Sequence, residues 1–284
     1  SADILGQADS AALTSFVEHH LNRIAPTISY AIAQDNNHAT SEAAALFVGG
    51  LWMVRNGPAA KRTEMNRIAQ QGRRYLEQLV GRLILDDGGF AQYSTNYHRV
   101  MLMTLCQVEL WRRDWADAAF SDSFYDRAAK ASGWLGLMVN EKSGASPNFG
   151  SNDGANVFRL NGMAYRDYRP ACQTAFRLFR KHSFCQPGPW DEDCHWLNIA
   201  DDTAIEQDYK MNPIILLQHS GICRIQAPGG GKEATGYLRI PVDRFRPHQC
   251  DALHFDLVDG DGRNRLRDAG TYSYADPEIL DAFA

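Results

Sequence analysis

The sequence lacks any uninterrupted apolar run approaching the roughly 20 residues that a membrane-spanning helix requires, so no membrane insertion is expected. It also lacks a basic-then-apolar opening of the signal-peptide kind. The chain does not begin with methionine, so Ser1 is read as a processing or fragment boundary, and the missing leader carries little weight; a periplasmic or secreted home is the expectation. An excess of positive charge is missing too: 29 Lys and Arg stand against 34 Asp and Glu, which gives no global attraction to nucleic acid. Cysteines are few, six in 284 residues and scattered, in a chain long and apolar enough to fold without a disulfide framework. His182, Cys185, Cys194 and His195 could be drawn together around zinc, but their spacing matches no common zinc pattern. The Gly229-Gly230-Gly231-Lys232 run is not a phosphate loop, because Gln226 and Glu233 stand where that motif needs glycine and Ser or Thr.

What is present is helical periodicity. Leu13, Phe16, Val17, Leu21 and Ile24 recur at helical spacing, and Pro26 predicts a break before Ile28 to Ile32. A second stripe runs from Ala44 to Trp52 and stops near Asn56-Gly57-Pro58. A third runs from Met65 to Leu83 and closes at Asp87-Gly88-Gly89. Tyr97 to Trp111 and Phe124 to Met138 continue the pattern, and one more helix is predicted around Arg166 to Lys181. Helices returning in antiparallel pairs, with no strand signal between them, suit a bundle or α/α toroid. Pro187, Pro189 and Asp191-Glu192-Asp193 begin an irregular connection, which is the expected domain boundary: residues 1–186 helical, 187–284 connection and sheet.

Beyond it the period changes to 2. Leu238, Ile240 and Val242 alternate with polar neighbours, as do Leu253, Phe255 and Leu257. Asp259-Gly260-Asp261-Gly262 predicts a hairpin turn between a strand ending at Val258 and one through Leu266; the same residues resemble a calcium loop only in being acidic and glycine-rich. Taken together, the fold class is α+β: an incomplete helical toroid followed by the first strands of an antiparallel sandwich.

Chemistry could reside at two helix starts. Asn36-Asn37-His38 precedes a helical stripe, where side chains can point into a cleft; the alternative is that Asn37 or Thr40 caps the helix and His38 is a surface residue. Tyr93, Tyr97, His98 and Arg99 gather at another helix entrance, offering a phenol, an imidazole and a cation for acid–base work on an anion; alternatively Tyr97 is the first apolar rung of its helix. Two basic clusters, Arg159 to Lys181 and Arg244 to Arg267, could meet a polyanion or could be solvated faces.

Three segments together resemble the heparinase II/III-like family: Asn36 to Ala45, Tyr93 to Arg99, and Arg246 to Leu257, with Leu266 to Tyr274 in keeping. Their order and separation match across nearly the whole chain. Members of that family are longer, so the resemblance implies an internal piece, whose partners would include the missing parts of a full-length protein. It implies a helical toroid followed by an antiparallel β-sandwich, an acidic polysaccharide in the cleft between them, and cleavage by β-elimination. By that resemblance Asn37 and His38 line the uronate carboxylate and Tyr97 is general base, general acid or both. Glu42, Tyr93, Arg99, Asn152, Asp153, Arg246 and His248 are the residues expected to touch substrate around them. A phenol titrates near 10, so a basic Tyr97 calls for a nearby cation; His98, Arg99 and the more distant Arg246 are the candidates.

The sandwich part departs from the resemblance. Several relatives carry a His-x-His pair where Pro247 and Gln249 stand here, so neither His248 nor His254 inherits the acid or zinc-binding role of that pair, and a zinc ion at Asp268 is disfavoured; no cofactor is expected. The substrate expectation is a uronic-acid polymer, alginate-like or a bacterial exopolysaccharide. A catalytically silent glycan-binding protein is the second reading. A glycoside hydrolase, for which Glu42 and Asp153 are the only carboxylates to nominate, is the third.

Overall fold

The structure, a computed structural model, describes residues 6–200, 204–205, 212–227, 234–242, 244–245, 251–268 and 278. Arg246, His248, the Gly229 to Lys232 run and most of the Leu266 to Tyr274 segment lie outside these residues. Helices α1 (Gln7–Ala33), α2 (Asn37–Asn56), α3 (Arg62–Leu83), α4 (Thr95–Asp114) and α5 (Asp122–Met138) come first. The short α6 (Arg169–Ala175) runs on through a π turn at Phe176–Arg180, and α7 (Glu192–Trp196) lies within the connection. Five strands follow: β1 (Ile214–Leu217), β2 (Ile222–Gln226), β3 (Thr235–Arg239), β4 (Phe255–Val258) and β5 (Asn264–Leu266).

Helix starts are set by side chains that satisfy otherwise orphaned N–H groups. Asn36 accepts from His38 N at 2.9 Å, Ser94 from Tyr97 N at 3.0 Å and Ser121 from Phe124 N at 3.3 Å. The break predicted at Pro26 does not occur; α1 runs through it. Proline removes only the bond from its own N–H, and Leu21 and Ile28, both buried, hold the two sides of that turn against one core.

The α2–α3 pair packs most extensively. Gly72 permits this: a Cβ there would collide with the backbone of Ala43, Leu46 and Phe47. One apolar core runs from α2 through α6 and includes Leu217, Ile222, Tyr237 and Val258 of the sheet, so helices and strands share it.

The strands form an antiparallel meander in sequence order, β1-β2-β3-β4-β5. Register places Arg224, Tyr237 and Asp256 side by side on the face toward the helices. On the other face Ile214, Ile225, Gly236, Leu257 and Leu266 make one row, and Leu216, Cys223, Leu238 and Phe255 a second.

Polar bonds fix the sheet on the helices. The Asp87 carboxylate accepts from His219 N (2.8 Å) and Ser220 N (2.7 Å), at the turn between β1 and β2. Trp134 Nε1 donates to Ser220 Oγ at 2.9 Å, and Tyr237 Oη donates to the Leu137 and Met138 carbonyls at the end of α5. Asp251 accepts from Gly150 N at 2.5 Å.

Candidate functional site

Two helix starts meet. The Gln92 side chain, in the loop that feeds α4, accepts from Asn37 N at 3.1 Å and so ties the start of α2 to that of α4. Both entrances are sharp turns: Asp35 and Tyr93, each just before a capping residue, have φ of 51°. Such left-handed non-glycine residues carry strain, and they cluster where a fold over-determines a site.

At the first entrance the cap is Asn36, not Asn37 or Thr40; Thr40 Oγ1 instead donates to the Asn37 carbonyl. This leaves the half-buried Asn37 amide uncommitted among the described residues, with His38 exposed beside it. Glu42, one turn along, has its carboxyl held above the usual range by partial burial, an effect that nearby His38 opposes.

At the second entrance Tyr97 is half-buried, and its Oη donates to Asp153 Oδ2 at 2.5 Å. Asp153 belongs to a loop bound closely to α4: Thr95 N donates to Phe149 O at 3.0 Å and Ser94 Oγ to Ser151 O at 2.6 Å. Gly150, at φ +69°, allows the approach, since a Cβ there would strike the backbone of Tyr93 and Ser94. In the same loop Asn152 bonds Asn148 and accepts from the Tyr165 hydroxyl.

Several residues expected at the site are structural instead. Arg99 is 2% exposed. Its guanidinium donates to Tyr165 O and Asn96 Oδ1, both at 2.7 Å, and lies over the rings of Tyr165 and Tyr168, so it holds the loop and cannot reach a substrate. Tyr93 is equally committed: its hydroxyl accepts from Arg244 N and Phe245 N, on the sheet side. His98, buried and stacked on Trp134, donates from Nε2 to the Ala131 carbonyl at 2.9 Å, and burial pulls its pKa down to about 4. It is neutral near pH 7 and is not the cation for Tyr97; nor is Arg99. In the first basic cluster Arg169 is paired with Asp167 and Arg177 with Asp191, all in or near the core.

Sequence reasoning missed Gln92, Asn96 and Tyr165. Their contacts lie 55, 3 and 69 residues away in sequence (Gln92 to Asn37, Asn96 to Arg99, Tyr165 to Asn96), and only the Asn96–Arg99 helical spacing was a readable signal. No group of three or more metal-ligating side chains forms among the described residues. His254 and Asp268 approach to 3.8 Å but have no third ligand there, so the described residues do not fit a zinc ion.

No family model matches the sequence, nor does any curated protein. Solved structures do match. A structure described as heparinase III superposes with a TM-score of 0.65 at 13% identity, over 91% of this chain and 40% of that one. The fold is that of heparinase III. A heparan sulfate lyase HepC from Pedobacter heparinus gives a TM-score of 0.58 at 17% identity, over 94% of this chain and 38% of its own. The chain thus spans about two fifths of the heparinase III length, and what it shares over that span is a helical toroid portion followed by an antiparallel sheet.

Proposed function

We propose that this chain carries the acid–base machinery of a polysaccharide lyase that cleaves a uronic-acid polymer by β-elimination. The observation that supports this reading is the bond from Asn37 N to the Gln92 side chain, which ties the start of α2, where Asn37 and His38 lie, to the loop that leads into α4 and Tyr97. Asn37 and His38 would donate hydrogen bonds to the uronate carboxylate, where charge accumulates as the neighbouring carbon loses its proton.

Tyr97 then takes that proton. Its contact with Asp153 gives a route that needs no free phenolate: as Tyr97 Oη accepts the carbon-bound proton, its own proton passes to the Asp153 carboxylate. The carbon–oxygen bond to the departing sugar breaks, a carbon–carbon double bond forms, and Tyr97 protonates the departing oxygen while recovering its proton from Asp153. The proton count closes and both groups end as they began.

One observation favours a second reading, a glycan-binding protein without turnover. The Asp153 charge beside Tyr97 disfavours phenolate formation, so without the relay the phenol is inert. Incubation with a panel of glycosaminoglycans, alginates and bacterial exopolysaccharides, followed by ultraviolet absorbance of unsaturated ends, separates the two. A lyase yields absorbance with at least one polymer. Binding without absorbance across the panel would leave the silent binder, and saturated new ends would indicate hydrolysis.

A further inference from the structure

A polar cavity of about 170 Å³ opens where the end of α3, the first half of α5, the β1–β2 turn and the chain after β3 meet. Arg82, Arg127, Arg244 and His219 line it, and Asp86 is the one carboxylate among its lining residues. Two of the three guanidiniums are partly engaged. Arg82 pairs with Asp35 and donates to Ile32 O at 3.1 Å, while Arg127 pairs with Asp86 at 2.7 Å and donates to Ile84 O at 3.1 Å. Arg244 has no carboxylate partner among the described residues. It is exposed, and its guanidinium lies 5.4 Å from the centre of the Phe245 ring.

A guanidinium stacked on a ring keeps the N–H groups of its edge available to an oxyanion, and Arg82, also exposed, adds a second cation to the same wall. Asp86 opposes them: a hydrogen bond from Arg127 holds its carboxyl below the usual range, so it stays ionised and limits the affinity. Two bonds tie the cavity to the candidate site. Asp35, the partner of Arg82, directly precedes the Asn36 cap of α2. Arg244 N donates at 2.8 Å to the hydroxyl of Tyr93, which directly precedes the Ser94 cap of α4. One wall of the cavity is thus joined to the helix start that carries Asn37 and His38, and another to the start that carries Tyr97.

We propose that this cavity is a subsite for the oxyanion group, carboxylate or sulfate, of a sugar other than the one being cleaved, with Arg244 as its main donor and Arg82 and Arg127 assisting. An acidic polymer repeats its negative charge along its length, so a sugar held at the two helix starts brings a second anion within the same chain of sugars to a waiting cation. The subsite rests on the reading that this protein meets an acidic polysaccharide, but it requires binding alone and not turnover. Its cations are at the surface, so it discriminates charged from neutral polymers and weakens as salt rises.

Two histidines report on the two places separately. His219 lies in the cavity and His38 at the start of α2, and carbon-13 labelling resolves them once His219→Gln and His38→Gln have assigned the signals. The labelled chain is titrated with sulfated and with unsulfated uronate oligosaccharides at constant pH and ionic strength. A saturable shift of the His219 signal is expected, weakened by about three- to fivefold in the exposed variant Arg244→Gln and strengthened in Asp86→Asn. Movement of His38 with His219 unmoved, or equal affinity in Arg244→Gln, overturns the subsite and leaves the lyase reading standing. Movement of His219 with His38 unmoved upholds the subsite and counts against that reading, and silence at both overturns the two together. Tighter binding of the sulfated oligosaccharide assigns the group to sulfate, equal or weaker binding assigns it to carboxylate, and either upholds the site.

Discussion

The helical portion and the sheet divide polar and apolar groups in opposite ways. Between the helices Phe47, Leu76, Phe124 and Phe176 are all sealed, as in any packed core. The sheet turns Arg224, Tyr237, Arg239 and Asp256 toward the helices and leaves Ile214, Leu216, Ile225 and Phe255 exposed. Helices pack on one another over much of this chain, whereas the strands add a few apolar residues, Leu217, Ile222 and Val258, to the shared core, are tied to the helices by specific polar bonds, and offer an apolar outer face of the kind that packs against another sheet in a sandwich.

Four measurements break or sharpen that contrast. Phe47→Ala, inside the helical core, should cost about 3–5 kcal/mol in chemical denaturation; a loss under 1 kcal/mol would mean that the helices are not the rigid part. Next in size is the acid response of His98. Its folded pKa of about 4 lies below the unfolded value of 6.5. The stabilisation tied to its neutral form is therefore full above 6.5 and is lost as pH falls toward 4, about 3 kcal/mol in all. Buried Asp251 and Asp256, whose pKa values are raised by desolvation, contribute with the opposite sign, losing stability as pH rises. Subtracting the pH profile of His98→Gln isolates the histidine, and identical slopes in both proteins would refute this assignment.

Ser220→Ala leaves Trp134 Nε1 and Asp87 short of a partner where the sheet meets the helices, and should cost about 1–3 kcal/mol. An unchanged stability would show that these bonds do not hold the sheet. The smallest effect is expected for Leu216→Ser on the outer face, within about 0.5 kcal/mol of the parent. Light scattering should show less self-association in that variant; a large destabilisation would mean that the face is not open.

The same contrast explains what could be read from the sequence. Helices α2 to α5 were legible from apolar residues recurring at helical spacing, most clearly in α3, which buries one stripe and exposes the other, whereas α4 and the end of α5 are buried nearly all round; the stop of α2 was legible at Gly57. β4 and β5 were legible from their turn. β1 was not: Ile214-Ile215-Leu216-Leu217 is apolar at every position, because both of its faces are apolar, and period 2 vanishes. In the candidate site the two helix starts were readable as polar clusters, but their meeting through Gln92 was not. The diversion of Arg99 into a clamp on Tyr165 was also hidden, since an arginine beside a candidate tyrosine looks the same in sequence whether it serves the substrate or the fold.

A structure of Tyr97→Phe soaked with a uronate oligosaccharide decides whether the two helix starts receive the sugar. The sugar carboxylate is expected within about 2.7–3.1 Å of Asn37 or His38 donors, with the adjacent carbon–hydrogen bond aimed at the position that the missing hydroxyl would occupy. A sugar bound with that carbon turned away from residue 97, or bound outside the two helix starts, would contradict it.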